Sequence, residues 1–239
     1  MALQAWTESF GKEIFEGLDG ITFMLNSSQE DLALMAEAFM GYVARVSNPK
    51  NQDNPNVAGL LKYCIKHGHW SVFEHAQMTL QITTTLDIAT QILRHRSFTF
   101  QQLSRRYAGE AEAPLFIHLP QLRAPHPKNR QKSVDELPQE TQDWFTAKLD
   151  EHFRQAEELY KAMLNHGVAK ECARAVLPQA AETTIYMTGN CRSWMHYIAL
   201  RSANGTQAEH MAIAEDAKEI FREYFPSCAA AMDELNWKL

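Results

Sequence analysis

Ala76-Gln77-Met78-Thr79-Leu80-Gln81-Ile82-Thr83 alternates apolar and polar side chains without a break. A period of two places Ala76, Met78, Leu80 and Ile82 on one face and predicts a strand with that face buried. The period then changes. Leu86 to Leu93 reads as a helix that ends on Arg94. Phe98 to Tyr107 beyond it suits extended or irregular backbone, and Glu182 to Thr188, with Thr183, Thr184, Ile185 and Tyr186, suits a second strand.

Helical spacing dominates the rest. Ser27-Ser28-Gln29-Glu30-Asp31 resembles a capping box, followed by Leu32, Met35, Ala36, Phe39, Val43 and Val46 at helical intervals. Further helices are predicted over Asn56 to Lys66, Gln142 to His166, Lys170 to Leu177, Ser193 to Leu200, and from a second capping box, Thr206-Gln207-Ala208-Glu209, to about Tyr224. In the long helix Trp144, Phe145, Leu149, Phe153, Ala156, Tyr160 and Leu164 fall on one side. Gly109 to Gln139, punctuated by Pro114, Pro120, Pro125, Pro127 and Pro138, reads as an irregular surface excursion of the kind that often serves function. Strands do not alternate regularly with helices. The expected fold is therefore α+β, a single domain over residues 1–239 with a central, mostly antiparallel sheet flanked by helices.

The 239 residues suffice for one substantial core. With 45% apolar and 22% charged residues the composition is that of a soluble globular protein. Its net charge of −6 argues against a general nucleic-acid binder. No apolar run is long enough to span a membrane, and Met1 to Phe10 has neither the positive charge nor the apolar run of a signal peptide. Cys64, Cys172, Cys191 and Cys228 are scattered and form no Cys-x-x-Cys pair, which fits a cytoplasmic location and speaks against a cysteine zinc site.

Against that acidic background one segment is basic. From Ile88 to Gly109 there is no carboxylate, while Arg94, His95, Arg96, Arg105 and Arg106 all fall within it. Arginine forks bind phosphate through paired hydrogen bonds. Ser97, Thr99 and Ser104 add hydroxyls, and Gln101 and Gln102 can both donate and accept toward a pyrimidine or flavin edge. The cluster alone allows three readings: a solvated positive face, a nucleic-acid patch, or a site for phosphorylated ligands. Ser104 lacks a neighbouring general base, which favours a hydrogen-bonding role over nucleophilic attack. No cysteine directly follows a proline, so cysteine catalysis has no support. His67, His69 and His75 have an uncommon spacing for zinc, and no metal site is expected.

The pattern Arg94-His95-Arg96, seven residues, then Ser104 resembles the signature of the flavin-dependent thymidylate synthases. Ala44 to Ser47, Lys66 to His75, Glu171 to Pro178, Asn190 to Ser193 and Leu200-Arg201 resemble further elements of that family, in order. The resemblance implies reductive methylation of dUMP to dTMP, with methylenetetrahydrofolate as carbon donor and FAD, reduced by NADPH, as hydride source. It implies that Ser71, Arg94, His95, Arg96, Gln102, Asn190, Arg192 and His196 hold the flavin dinucleotide. Gln91, Arg94, Gln102, Leu103, Ser104, Arg105, Arg106, Arg174 and Arg201 would contact the nucleotide, His69 would lie near flavin and folate, and Arg201 would act on the pyrimidine. It further implies a homotetramer with active sites at subunit contacts. His196, Gly205 and Trp70-Ser71-Val72 depart from the family's usual residues. Rival readings of the same site are a flavoenzyme with another acceptor, a nucleotide-binding regulator without catalysis, and an RNA binder.

Overall fold

The computed structural model of the chain describes residues 3–5, 29–48, 51–52, 54–108 and 113–238. The capping box expected at Ser27 and the reading of Met1 to Phe10 as no signal peptide lie outside the described residues, apart from strand β1. The described elements are β1 (Leu3–Ala5), α1 (Gln29–Ala44), α2 (Val57–Lys66), a 3-10 turn (Trp70–Glu74), β2 (Gln77–Thr85), α3 (Leu86–Ile92), β3 (Thr99–Gln102), β4 (Ala124–Pro125), β5 (Ser133–Val134), α4 (Gln139–Asn165), α5 (Lys170–Ala173) with a 3-10 turn (Arg174–Val176), β6 (Glu182–Asn190), α6 (Cys191–Arg201), α7 (Ala208–Tyr224) and α8 (Pro226–Glu234).

The alternating segment is β2, and it lies inside a four-stranded sheet of order β1-β2-β6-β3 in which every pairing is antiparallel. β2 and β6 pair along their whole lengths, from Gln77 opposite Asn190 to Thr85 opposite Glu182. Met78, Leu80 and Ile82 join Ile185 and Met187 on the buried face, where α1, α2, α6, α7 and α8 pack over them. The opposite face is polar and partly exposed. Thr79 and Thr188 hydroxyls meet there at 2.9 Å, and Gln81, Gln101 and Tyr186 occupy one cross-strand row. The layered expectation thus changes in one respect: the main helical layer covers one face rather than flanking the sheet, because only one face is apolar.

Gly189 admits a close approach that positions the next segment. A Cβ there would meet the Phe98 ring at 2.4 Å. Phe98 packs in this gap against Trp194, ring centres 4.9 Å apart, and so fixes the backbone just after Arg94-His95-Arg96.

Four local expectations need correction. In α1 the core takes Met40 and Ala36, while Phe39 and Val46 stay exposed. In α4 only Ala156 and Tyr160 of the apolar side are buried, and Trp144 and Phe145 are 57% and 48% exposed. Thr206 does not cap α7. The N-cap is Gln207, and the Glu209 carboxylate that would complete the capping box is taken by Arg123. The last helix, α8, was not expected. Pro226 opens it, and the buried Glu37 carboxylate accepts the Ser227 and Cys228 N–H groups at 3.1 and 2.9 Å.

The excursion is partly built. Within it β4 and β5 form a short hairpin, Ile117 bridges Ala181, and Leu115 enters a small second core with Tyr160, Ala173 and Ala181. No described helix is long and apolar enough to cross a membrane.

Candidate active site

Helix α6 carries two stripes. Arg192 and His196 are one helical turn apart, as are Tyr197 and Arg201, so each pair shares a face. The first stripe meets the 3-10 turn: Trp70 and His196 rings lie 5.1 Å apart, and Arg192 donates to Glu74 at 2.5 Å. This brings Ser71, Arg192 and His196 into one neighbourhood, and it joins Trp70 and His196, two of the positions where the sequence departs from the family pattern. Asn190, the N-cap of α6, accepts the Ser193 N–H through its side-chain carbonyl at 2.8 Å, which leaves its amide hydrogens for other partners. His69 lies farther out, in an exposed group with Tyr63 and His67.

The second stripe faces Arg94-His95-Arg96. Arg201 donates its Nε to His95 Nε2 at 2.8 Å, and the His95 ring stands edge-on to Tyr197 at 4.9 Å. Burial first, and then the Arg201 charge, push the His95 pKa down to about 4. His95 is therefore a neutral acceptor near pH 7, with its ring proton on Nδ1. Arg201 spends only Nε on this contact and keeps its two terminal nitrogens for a ligand. Arg94 and Arg96 flank His95, are exposed, and make no ion pair among the described residues. Such permanent cations, with the exposed Ser97 hydroxyl next in sequence, suit the pyrophosphate of a dinucleotide.

The other half of the basic segment sits elsewhere. At the end of β3 the Gln102 side-chain amide donates to Thr183 Oγ1 at 3.2 Å, and just beyond it the Leu103 N–H donates to the Thr184 carbonyl. Ser104 to Tyr107 meet the α5 corner: Lys170 donates to the Tyr107 carbonyl at 2.8 Å, and Arg106 lies 3.4 Å from Glu171. Arg174, exposed on the following 3-10 turn, belongs to this corner. Arg105 is the exception. It is 8% exposed, and its guanidinium donates to the carbonyls of Ala113 and Pro114 at 3.0 and 3.2 Å. The family resemblance implied a nucleotide contact for this side chain, but it is turned inward and ties the excursion to this corner, leaving Arg106 exposed. The basic segment thus forms two corners, one around His95 and Arg201 and one around Ser104, Arg106 and Arg174, with the four-residue strand β3 between them.

Sequence reasoning missed Tyr197, Gln207 and His210. His210 is fully buried and lies within hydrogen-bond reach of both Tyr197 and Gln91. Its only signal was a histidine at an apolar position of α7.

The geometry thus presents two groups of exposed cations, one of them beside a neutral, arginine-held histidine, a donor set whose chemistry suits phosphorylated ligands. Residues 25–227 match the family described as thymidylate synthase complementing protein. The chain is 52% identical over 199 residues to a probable flavin-dependent thymidylate synthase of Paramecium bursaria Chlorella virus 1, covering 83% of this chain and 91% of that protein. It is 46% identical over 200 residues to the flavin-dependent thymidylate synthase of Synechocystis sp., covering 84% and 91%. A UMP/dUMP methylase, PolB from Streptomyces cacaoi, solved with 5-Br UMP bound, superposes with a TM-score of 0.73 at 24% identity over 84% of this chain and 90% of that one; at that identity the likeness is one of fold. The chain belongs to the family of the flavin-dependent thymidylate synthases.

Proposed function

We propose that the chain converts dUMP to dTMP by reductive methylation, with methylenetetrahydrofolate as carbon donor and FAD, reduced by NADPH, as cofactor. Family membership supports the reaction class. The observation that carries the residue assignment is the 2.8 Å contact of Arg201 with neutral His95. It pins one nitrogen of a permanent cation and leaves a two-pronged donor for the pyrimidine. A cation beside N3 favours the ionised ring and shifts electron density toward C5, the carbon that accepts the new group.

The donor set fits the flavin dinucleotide. Arg94, Arg96 and Ser71 suit its phosphates. Arg192 and His196 share one stripe of α6, Asn190 caps that helix, His95 meets its other stripe, and Gln102 stands at the far end of β3. When bound, the flavin supplies the hydride, and the chain supplies placement and charge. Gln91, Arg94, Gln102, Leu103, Ser104, Arg106 and Arg174 form the nucleotide contacts, with the Arg106 and Arg174 forks on the phosphate. Placement of reactants in this way contributes up to about 7–11 kcal/mol in favourable cases. His69 stands at the entrance, toward flavin and folate.

The separation of the two corners supports a site completed by another copy of the chain, in a homotetramer. One chain presents Arg201 at one end of β3 and Arg174 at the other, so a ligand contacting both kinds of corner takes them from different subunits. Exposed Trp144 and Phe145, and the polar sheet face, offer surfaces for such contacts.

The test is turnover by Arg201→Ala. Loss of about 10²–10³-fold in kcat, with flavin still bound, is expected for removal of a group that stabilises developing charge. Full turnover would refute the role at N3.

A further inference from the structure

Four side chains from three helices, the N-cap Gln207 and one side chain from the excursion form a continuous hydrogen-bonded chain. The Tyr197 hydroxyl lies 3.2 Å from His210 Nε2, and His210 Nδ1 lies 3.3 Å from Gln91 Oε1. Gln91 Nε2 donates to Gln207 Oε1 at 2.7 Å. The Gln207 side chain hydrogen-bonds the Glu209 carboxylate. Arg123 closes the chain with one terminal nitrogen on both Glu209 oxygens, at 2.6 and 2.8 Å. Gln207, Glu209 and Arg123 also line a cavity of about 620 Å³ together with Asp87, His118 and Glu182.

The direction of this chain is fixed from one end. A carboxylate only accepts, so Gln207 turns an N–H toward Glu209 and its carbonyl toward Gln91. Gln91 then spends Nε2 on Gln207 and meets His210 with Oε1. His210 must donate from Nδ1, and a neutral ring must accept from the Tyr197 hydroxyl at Nε2. His210 is 0% exposed and no carboxylate is among its partners. Burial, then Arg201 and His95, hold it neutral. Reversing the Glu209 end would rotate both amides and exchange the histidine tautomer.

We propose that the Arg123–Glu209 pair is a positioning device: through Gln207, with His210 and Tyr197 as the far anchor, it sets which end of the Gln91 amide is offered to the pyrimidine. The proposal rests on Gln91 being a nucleotide contact. An amide free to rotate presents donor and acceptor in either order, whereas a carbonyl edge accepts only one. The device also gives the excursion a role. Arg123 adjoins β4, and its Nε donates to Ser133 Oγ at 2.9 Å, so the hairpin holds the cation that sets the direction.

Two measurements test this. In the holoenzyme without nucleotide, ring-¹⁵N histidine spectra, with His210→Asn identifying the signal, should show His210 as the Nδ1–H tautomer. Glu209→Gln keeps the shape but can present either end to Gln207. It should give a mixed tautomer and raise the dUMP KM by about 10-fold, the size of one net hydrogen bond, with flavin content and melting temperature unchanged and kcat altered far less. A merely structural role would move the melting temperature and leave KM alone. The failures are separable. Absence of dUMP turnover in the wild type overturns the functional reading. Normal turnover with an Nε2–H ring, or with an unchanged KM in Glu209→Gln, overturns the positioning role alone.

Discussion

The corner around His95 and the corner around Arg106 are made from the same thirteen-residue stretch, yet they are built differently. At the first, His95 and Arg201 are in contact, with Tyr197 and His210 buried behind them and their polar atoms partnered. At the second, Arg106 and Arg174 are exposed, and the Arg106 guanidinium has a 3.4 Å ion pair with Glu171, itself exposed, and lies 5.5 Å over the exposed Tyr107 ring. Exposed pairs of that kind contribute little, about 0–1 kcal/mol. The first corner is preorganised by the fold. In the proposed site, the second would exchange a weak intramolecular partner for a ligand phosphate. That difference suits their proposed tasks, since charge stabilisation needs fixed groups and phosphate capture needs only available ones.

The contrast can be broken residue by residue. Arg106→Ala should raise the dUMP KM by about 10- to 100-fold, as expected for a charge-assisted contact, while leaving the melting temperature near that of the wild type; steady-state kinetics and calorimetry read both. Its neighbour Arg105→Ala should do the opposite, because two carbonyls lose their buried donor. A stability loss of about 1–3 kcal/mol and easier proteolysis of the excursion are expected, with a smaller change in KM.

Acid should act on the first corner. His95 and His210 have folded pKa values depressed to about 4 and about 3, so the unfolded chain binds their protons first. Their contribution is complete above the unfolded value near 6.5 and is lost as pH falls toward 4. The fall should amount to about 1–3 kcal/mol, seen by denaturation at pH 7 and pH 4.5. His210→Asn should flatten part of that slope, and an unchanged slope would contradict the burial of a neutral ring. Glu74→Gln, which weakens an exposed ion pair with Arg192, should change stability by no more than about 1 kcal/mol. A larger effect on flavin affinity than on stability would show that the pair orients Arg192.

Much of this was legible in the chain itself. β2 and its buried face follow from eight alternating residues, α2 and most of α6 from helical spacing, and the basic segment from the absence of carboxylates over more than twenty residues. What failed depended on tertiary context. Glu209 has the spacing of a capping box, but Arg123, 86 positions away, competes for it. Arg105 and Arg106 are identical in type and adjacent in sequence, and only the position of Ala113 and Pro114 decides which one is buried. Trp144 and Phe145 follow the helical period correctly, yet the period cannot say whether the covering surface belongs to the same chain. His210 could not be distinguished from a core residue until Gln91 and Tyr197 were seen on either side of it.

The central claim is that these corners bind dUMP beside a flavin and methylate it. It is tested most directly by mixing the reduced, flavin-loaded protein with dUMP under anaerobic conditions, with and without methylenetetrahydrofolate, and following dTMP together with flavin oxidation. The account predicts dTMP only when the folate is present, with flavin reoxidation dependent on dUMP. A protein that holds no flavin, or whose flavin reoxidises without forming dTMP when all components are present, would contradict it.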